Sequence, residues 1–294
     1  MEFITRIMLM LSLVFVARVA FATEPKEELP ERLDQQQLVY LYTQEGTVII
    51  ELSDSIAPKH VERFKQLVKE GFYDGLSFYR VIDGFVAQAG DPSEAKESQY
   101  RSPLKAEFSR TNKDFENDFT LIQSPEFLAE ETGFINNFPA GRSVKDDRQW
   151  LLHCPGAVAM ARSTEADSAT TEFYIVIGQA PRHLDRNMSV FGQVVYGLEV
   201  VQKFMRGNPQ QAGGVIENEE KRSLIVKALM GTDVSVQEQI ALERLGADSS
   251  AFQKRIESAR TLDNPFYHYA GSGNVDVCYY RPRVTVTATV SSDE

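Results

Sequence analysis

The chain has few of the residue types that usually build metal and redox sites, with four histidines, two cysteines and one tryptophan among its 294 residues. The histidines do not fall at a metal-ligand spacing, and neither His153 nor His268 has a partner pattern, so no metal site is predicted. There is also no P-loop, no G-x-G-x-x-G turn and no Ser-His-Asp arrangement in motif context. These absences exclude the commonest nucleotide-binding and covalent-nucleophile motifs, and no cofactor is predicted.

Positive charge is also scarce. Lysine and arginine total 31 against 42 aspartates and glutamates, which gives a formal net charge of −11. A broadly acidic chain is poorly suited to neutralising phosphates, so nucleic acid is not an expected partner and the charge is interpreted as an aid to solubility. The hydrophobic content of 43% and the charged content of 25% are those of an ordinary globular protein.

Only one long apolar run occurs, and it lies at the N-terminus. Residues 7–17 are apolar except for Ser12, a run shorter than the roughly 20 residues that a membrane-spanning helix needs. Arg6 precedes the run, and residues 20–22 (Ala-Phe-Ala) fit a cleavage site. Residues 1–22 are therefore predicted to be a cleaved signal peptide, with an uncleaved anchor as the alternative. The mature protein is then expected to be periplasmic or secreted, without a membrane anchor.

The two cysteines, Cys154 and Cys278, allow a single pairing. An exported chain meets an oxidising compartment, where a disulfide between them is possible and would tie the C-terminal region to the main domain. Because the sequence does not give the separation of the Cα atoms, two unpaired, buried thiols remain the alternative.

Changes in composition divide the rest of the chain. Residues 23–36 are polar and contain proline, which favours a linker. Residues 37–230 carry strand-like apolar patterns and are predicted to form the main domain. The long segment at 93–153 within it, rich in Glu, Asp, Asn and Ser, is called the insert because of the family resemblance described below. The insert contains Trp150 and several phenylalanines. Since a disordered segment would have few aromatic residues, the insert is expected to be packed.

The C-terminal extension, residues 231–294, is predicted to be a small helical appendage that docks on the main domain. Apolar spacing favours one helix over residues 236–245. A second helix is expected to begin after a capping residue, either Asp248 or Ser249. Alternating valines and threonines over 284–290 favour a half-buried strand.

The most informative segment is residues 72–92, in which Arg80 stands among apolar and aromatic neighbours. A strand usually carries either an apolar face or a charged one, so this cation indicates a guanidinium at the rim of an apolar pocket. Phe85 and the lone amide side chain of Gln88 follow within a few residues. Such a pocket would bind an uncharged, ring-like group whose polar atoms the arginine contacts. A structural ion pair is the alternative interpretation of Arg80.

The same segment resembles a known protein family. Residues 78–91 (FYRVIDGFVAQAGD) are similar to the signature of the cyclophilin family of peptidyl-prolyl cis-trans isomerases. Three further blocks follow in the family's order, PGAVAMAR at 155–162, TEFYIVI at 171–177 and HLDRNMSVFGQVVYGLEVV at 183–201. The resemblance spans residues 37–228. It implies a mainly β fold, a cyclophilin-like eight-stranded antiparallel barrel capped by two helices, with an insert and a helical C-terminal extension.

The resemblance also implies a site. Arg80 and Gln88 are the expected catalytic residues. The expected substrate-binding residues are Phe85, Val86, Ala161, Arg162, Tyr174, His183, Leu184 and Met188. The chain departs from the best-known eukaryotic members at several of these positions: His183 stands for a tryptophan, Met188 for a histidine and Tyr174 for a phenylalanine. These departures affect the expected rate and sequence preference.

The expected function is acceleration of X-Pro bond rotation in folding exported proteins, with Arg80 stabilising the twisted amide without covalent chemistry. The expected partners are unfolded or extended Pro-containing polypeptides, and the protein is expected to be a monomer. The alternative is a Pro-peptide-binding chaperone module with little or no turnover. A third interpretation makes the insert and the C-terminal extension a docking surface, with the barrel as scaffold.

Overall fold

The computed structural model describes residues 28–111, 118–179 and 181–287. The predicted signal peptide, residues 1–22, lies outside these residues, as do the first residues of the predicted linker at 23–36. Across the described ranges, no helix combines the length and the apolar character that a membrane span requires.

The described part of the chain contains sixteen strands and three α-helices. The strands are, in chain order, β1 (Glu31–Arg32), β2 (Leu38–Thr43), β3 (Gly46–Leu52), β4 (Ser77–Val81), β5 (Val86–Gly90), β6 (Arg110–Thr111), β7 (Phe119–Gln123), β8 (Glu131–Ile135), β9 (Phe138–Ser143), β10 (Arg148–Leu151), β11 (Ala157–Met160), β12 (Phe173–Val176), β13 (Val190–Tyr196), β14 (Ser223–Met230), β15 (Leu242–Arg244) and β16 (Val284–Val286). The helices are α1 (Pro58–Lys69), α2 (Leu198–Val201) and α3 (Ser250–Thr261).

Eight strands close into a barrel in the order β11-β12-β5-β4-β14-β2-β3-β13, and each neighbouring pair is antiparallel. Side chains alternate between the interior and the outer face, as a pleated strand requires. On β12, Phe173 and Ile175 belong to the interior core, whereas Tyr174 and Val176 belong to a separate cluster on the outer face. The mainly β, eight-stranded barrel that the resemblance implied is confirmed.

The two capping helices add to the interior core. Helix α1 begins at Pro58, where the missing N–H of proline removes no helical hydrogen bond. Its apolar face is buried in the core, and the ring of Phe64 lies 5.1 Å from that of Phe173 and 4.9 Å from that of Phe191, centroid to centroid. The short helix α2 contributes Val201 to the same core.

The insert forms a sheet of its own, with five strands in the order β6-β10-β9-β8-β7. One face of this sheet packs against the outer face of the barrel. Ile135 on β8, Phe138 on β9 and Leu151 on β10 pack in one cluster with Tyr174 and Val176 on the outer face of β12. The insert is therefore a packed layer against the barrel, which explains why a polar segment carries so many aromatic residues.

The single tryptophan connects the insert to the loop between β12 and β13. Trp150 on β10 is buried, and the guanidinium of Arg186 in that loop lies 5.1 Å from its ring centroid. Arg186 also forms a 3.0 Å ion pair with Asp146, in the turn between β9 and β10. The insert thus contacts the loop through two side chains, Trp150 and Asp146.

The prediction of a helix over residues 236–245 is wrong. The second half of this segment forms β15, which pairs with β1 and β16 in a three-stranded sheet. The strand is favoured because Leu242 packs with Leu38 on the outer face of the barrel. In addition, Arg244 donates to both carboxylate oxygens of Glu51 on β3, at 2.7 and 2.8 Å. The C-terminal extension is therefore mixed in structure, and it shares a sheet with the N-terminal segment.

The second helix of the extension, α3, begins after Ser249. The Ser249 hydroxyl accepts a hydrogen bond of 3.2 Å from the backbone N–H of Phe252, as an N-cap does. The ring of Phe252 meets that of Phe134 on β8 edge to face, with centroids 5.5 Å apart. A disulfide joins Cys154, just after β10, to Cys278, with a Cα separation of 5.0 Å. The extension thus docks on the insert, and the disulfide ties it covalently to the segment that follows β10.

Candidate active site

One row across the barrel sheet carries the candidate catalytic residues. Arg80 on β4 lies opposite Gln88 on β5, and Gln88 lies opposite Tyr174 on β12. Tyr174 in turn lies opposite Ala159 on β11. Residues directly opposite each other in an antiparallel pair have their side chains on the same face. Because Tyr174 and Ala159 belong to the outer cluster, the row lies on the outside of the barrel and not in its interior.

A bulge in β4 brings two polar side chains to this face. The register of β4 against β5 shifts between Ser77 and Arg80. Phe78 and Val81 both enter the interior core, although a spacing of three residues would put them on opposite faces of a regular strand. The extra residue of the bulge leaves both Tyr79 and Arg80 on the outer side.

Arg80 is half-buried, and neutral acceptors hold its guanidinium. Its Nε donates to the carbonyl of Gly213 at 2.9 Å, and its Nη1 donates to Oε1 of Gln88 at 3.1 Å. These bonds use two of the five N–H donors of the group. Within the described ranges, Arg80 forms no ion pair with a carboxylate. Its positive charge is thus uncompensated at close range.

Gln88 is oriented by two residues that the sequence analysis did not assign to the site. Its Nε2 donates to the hydroxyl oxygen of Tyr79 at 2.6 Å and to Oε2 of Glu172 at 2.8 Å. The Tyr79 hydroxyl donates to the same carboxylate oxygen at 2.8 Å. Since Nε2 faces these acceptors, Oε1 faces Arg80, which is the orientation that a cation requires.

The electrostatics of this group follow from its burial. Burial raises the pKa of Glu172, hydrogen bonds from Tyr79 and Gln88 oppose the rise, and the charge of Asp91 adds to it. Burial and the neighbouring Glu172 raise the pKa of Tyr79 well above its usual range, so its hydroxyl stays protonated and remains a donor. A signal for Glu172 existed in the sequence: it lies two residues before Tyr174, and alternation places both on the same face.

An apolar surface lies beside the polar group. Partly buried Phe85, Ala161, Leu184 and Met188 pack on one outer-face cluster. The ring of Phe85 stacks on that of His183, with centroids 6.1 Å apart and planes 12° apart. The structure therefore brings these predicted substrate-binding residues together, although they come from three separate segments of the chain.

Two other predicted binding residues lie deeper. Val86 is 2% exposed and Tyr174 is 4% exposed, so they support the apolar surface from beneath. Ile135 of the insert packs in the same cluster, and the insert is thus the back wall of this surface. His153, which shows no partner pattern in the sequence, lies fully buried against Tyr174 with both ring nitrogens in hydrogen-bond contact.

Arg162 fastens the loops around the site. Its Nε donates to the carbonyl of Asn187 at 3.0 Å, and its Nη1 donates to the carbonyls of Ser163 and Thr164 at 2.8 and 3.2 Å. Its guanidinium lies 5.4 Å from the ring centroid of Phe108. These contacts hold the side chain at the edge of the site.

A cleft of about 550 Å³ extends from the catalytic row over the barrel surface, and its lining includes Gln88, Ala161, Arg162, Glu172 and Arg101. Because the lining carries side chains of both charges and many hydrogen-bonding groups, the cleft suits the polar backbone of an extended peptide. Over the described ranges there is no group of three or more His, Cys, Asp or Glu side chains that could hold a metal ion.

Comparisons with known proteins agree with this geometry. The model of the family described as cyclophilin type peptidyl-prolyl cis-trans isomerase/CLD matches residues 38–227. A probable peptidyl-prolyl cis-trans isomerase of Brucella suis is 32% identical over 200 residues, which cover 68% of this chain and 85% of the relative. A peptidyl-prolyl cis-trans isomerase A of Dickeya dadantii is 29% identical over 180 residues, 60% of this chain and 74% of the relative.

Among solved structures, a cyclophilin from Hirschia baltica is similar over 88% of this chain and 95% of its own, with a TM-score of 0.67 and 27% sequence identity. This likeness extends well beyond the barrel, since the family match itself ends at residue 227. The fold, the matched residues and the curated relatives together show that the chain belongs to the cyclophilin family of peptidyl-prolyl cis-trans isomerases.

Proposed function

We propose that Arg80 accelerates X-Pro rotation by stabilising the half-rotated amide. Without a catalyst this rotation takes tens to hundreds of seconds, because it breaks amide resonance at a barrier of about 18–20 kcal/mol. As the bond twists, the prolyl nitrogen regains a lone pair that can accept a hydrogen bond. A guanidinium that donates to this nitrogen stabilises the transition state and not the planar ground state, which is what catalysis requires.

The placement of Arg80 carries this proposal. The guanidinium is fixed by two neutral acceptors, the Gly213 carbonyl and the Gln88 side chain. It therefore keeps its charge and further N–H donors for a ligand, in a fixed orientation. A fixed donor needs little reorganisation when the amide twists, so the stabilisation is concentrated in the transition state.

The neighbouring residues have two further roles, binding of the proline ring and orientation of Arg80. The apolar surface of Phe85, Leu184 and Met188 receives the pyrrolidine ring, for which it offers hydrophobic contact. Both ends of the Gln88 amide are engaged within the protein. Gln88 therefore acts by orienting Arg80, more than by contacting substrate.

The proposed substrates are unfolded or extended Pro-containing polypeptides in an extracytoplasmic compartment. The open cleft beside the catalytic row supports an extended chain as ligand. The disulfide and the predicted signal peptide support export, because disulfides persist in oxidising compartments. Cell fractionation with N-terminal sequencing tests the location: the mature chain is expected outside the cytoplasm and to begin at Thr23, whereas a cytoplasmic chain that retains residues 1–22 would contradict it.

The mechanism is tested by a protease-coupled assay on a proline peptide with the Arg80→Ala variant. Removal of one transition-state donor lowers kcat by about 10²–10³-fold in comparable sites, and a loss of that order in kcat/KM is expected here. Arg32→Ala is the matched control, because Arg32 is an exposed arginine on β1, outside the site.

Two results would contradict the mechanism. If Arg80→Ala retains the rate of the wild type, the arginine does not stabilise the twisted amide. If the wild-type chain binds the peptide without accelerating its isomerisation, the protein is the Pro-peptide-binding chaperone that the sequence left as the alternative.

A further inference from the structure

We propose that His153 is a positioning residue for the isomerase site. It holds the floor of the proline pocket in place and links that floor to the C-terminal extension. The proposal rests on the proposed use of the apolar surface as a proline pocket. His153 is fully buried and does not itself reach substrate.

His153 is fully buried, and both of its ring nitrogens have partners. Its Nδ1 lies 2.9 Å from Oδ1 of Asp185, and its Nε2 lies 2.9 Å from the hydroxyl of Tyr174. The carboxylate can only accept, so Nδ1 carries a proton, and in the tautomer with that single proton Nε2 accepts a hydrogen bond from the Tyr174 hydroxyl. The three side chains form one directed chain of hydrogen bonds.

This chain joins three separate segments. His153 follows β10 at the end of the insert, Tyr174 lies on β12, and Asp185 lies in the loop between β12 and β13. The backbone N–H of His153 also donates to Asp185 at 2.9 Å. Asp185 receives a further contact from Nε of Arg182 in its own loop. His153 therefore fixes the loop relative to the barrel strand.

The two partners of His153 are parts of the pocket. Tyr174 lies beneath the apolar surface and opposite Gln88 in the sheet register. Asp185 directly follows Leu184, which contributes to that surface. A displacement of either partner moves a wall or the floor of the pocket. A buried hydroxyl without an acceptor is also strongly unfavourable, so Tyr174 depends on His153 for its position.

The C-terminal extension holds the same segment from the other side. Cys154, the residue after His153, forms the disulfide with Cys278. The next residue, Pro155, accepts a 2.7 Å hydrogen bond at its carbonyl from Nη1 of Arg281. The extension thus sets the path of the backbone that carries His153, and this path sets the pocket floor.

The test is a mutant cycle on His153 and Tyr174, read as separate KM and kcat values for a proline peptide. Tyr174→Phe leaves Nε2 of His153 without a partner, and His153→Leu leaves the Tyr174 hydroxyl without one. Each single variant is expected to raise KM by roughly five- to tenfold, because the group left unpaired shifts and no longer holds the floor of the pocket in place. The double variant is expected to raise KM no further than His153→Leu does alone, because both changes break the same chain of hydrogen bonds.

A double variant no worse than His153→Leu separates positioning from simple loss of packing, which would make the two changes add. The proposal is overturned if the folded single variants keep the wild-type KM, or if the double variant loses as much as the two single variants combined. Should His153→Leu fail to fold, Tyr174→Phe alone decides by its KM. The Arg80→Ala variant is measured beside the series: an unchanged rate there contradicts the proposed mechanism, whatever the outcome of the cycle.

Discussion

Glu172 is a half-buried carboxylate that orients the Gln88 side chain. It accepts hydrogen bonds from Tyr79 and from Gln88, and no cation neutralises it among the described residues. Burial raises its pKa despite these bonds. The ionised form is thus destabilised by the fold, and this gives the residue a measurable pH signature.

We expect Glu172→Gln to stabilise the protein more at neutral pH than in acid. The folded-state pKa of Glu172 lies above its unfolded value, so its contribution to stability is fully present below the unfolded pKa and is lost as pH rises through the folded pKa. Glutamine retains an acceptor and has no such loss. Urea unfolding of both proteins at a series of pH values measures the difference between their free energies of unfolding, which should grow with pH across that window.

Glu217→Gln is the matched control, because Glu217 is exposed and its charge is not among those that raise the pKa of Glu172. Its difference from the wild type should change little over that pH range. A Glu172→Gln difference that is equally flat with pH would show that burial does not penalise the carboxylate.

At this scale the sequence predicted that Arg80 and Gln88 share one site, where the structure places them in contact, and it missed the residues that hold them. Arg80 and Gln88 stand in a local motif with Phe85, so one segment was enough to predict them. Glu172 contacts Gln88 from 84 residues away, and His153 reaches Asp185 across 32 residues. Such pairs depend on strand register and loop path, which no local pattern contains.

At the scale of elements, β15 is held to the barrel by a nearly buried ion pair. Arg244 and Glu51 have side chains that are 10% exposed each, and both guanidinium contacts are shorter than 3 Å, at 2.7 and 2.8 Å. Gln193 adds a 3.0 Å hydrogen bond to the same carboxylate. The short strand is therefore anchored by side chains as well as by its backbone partners.

Arg244→Leu is expected to lower the free energy of unfolding by about 3–5 kcal/mol, because it leaves Glu51 buried without its cation. Urea unfolding at neutral pH measures the loss. Removing the carboxylate as well, in Arg244→Leu with Glu51→Leu, should recover much of it. An equal loss in the single and the double variant would mean that the charge of Glu51 is not what destabilises the single one.

The elements show why the barrel was predictable and the extension was not. Strands of the barrel are short apolar runs, as in Phe173 to Val176, and the family blocks fix their order. The apolar residues at 236–245 fit a helix by spacing. They form a strand because β1 and the distant Glu51 on β3 supply partners, and tertiary contacts override a weak local preference.

On the scale of the whole molecule, three parts that are distant in sequence form one layer outside the barrel. The N-terminal strand β1 shares a sheet with β15 and β16, α3 packs on the insert, and the disulfide closes a loop of 124 residues between insert and extension. The sequence predicted an insert and an extension separately. It gave no pattern for their contact beyond the pair of cysteines.

Replacing Cys154 and Cys278 by serine is expected to lower the free energy of unfolding by about 2–5 kcal/mol, because the reduced unfolded chain is less constrained. Denaturant unfolding of the oxidised wild type and the variant measures this difference. A reductant should destabilise the wild type and leave the variant unchanged. If the reductant acts equally on both, the disulfide does not contribute to stability.

The single tryptophan, Trp150, gives the enzyme an intrinsic fluorophore. Trp150 lies under Arg186, and that arginine belongs to the loop that also carries Leu184 and Met188. A cation over an indole alters its emission, so an unlabelled proline peptide that shifts this loop should change the intrinsic fluorescence on titration. Peptide binding to the pocket can then be followed by the emission of Trp150, without a dye or a coupled protease.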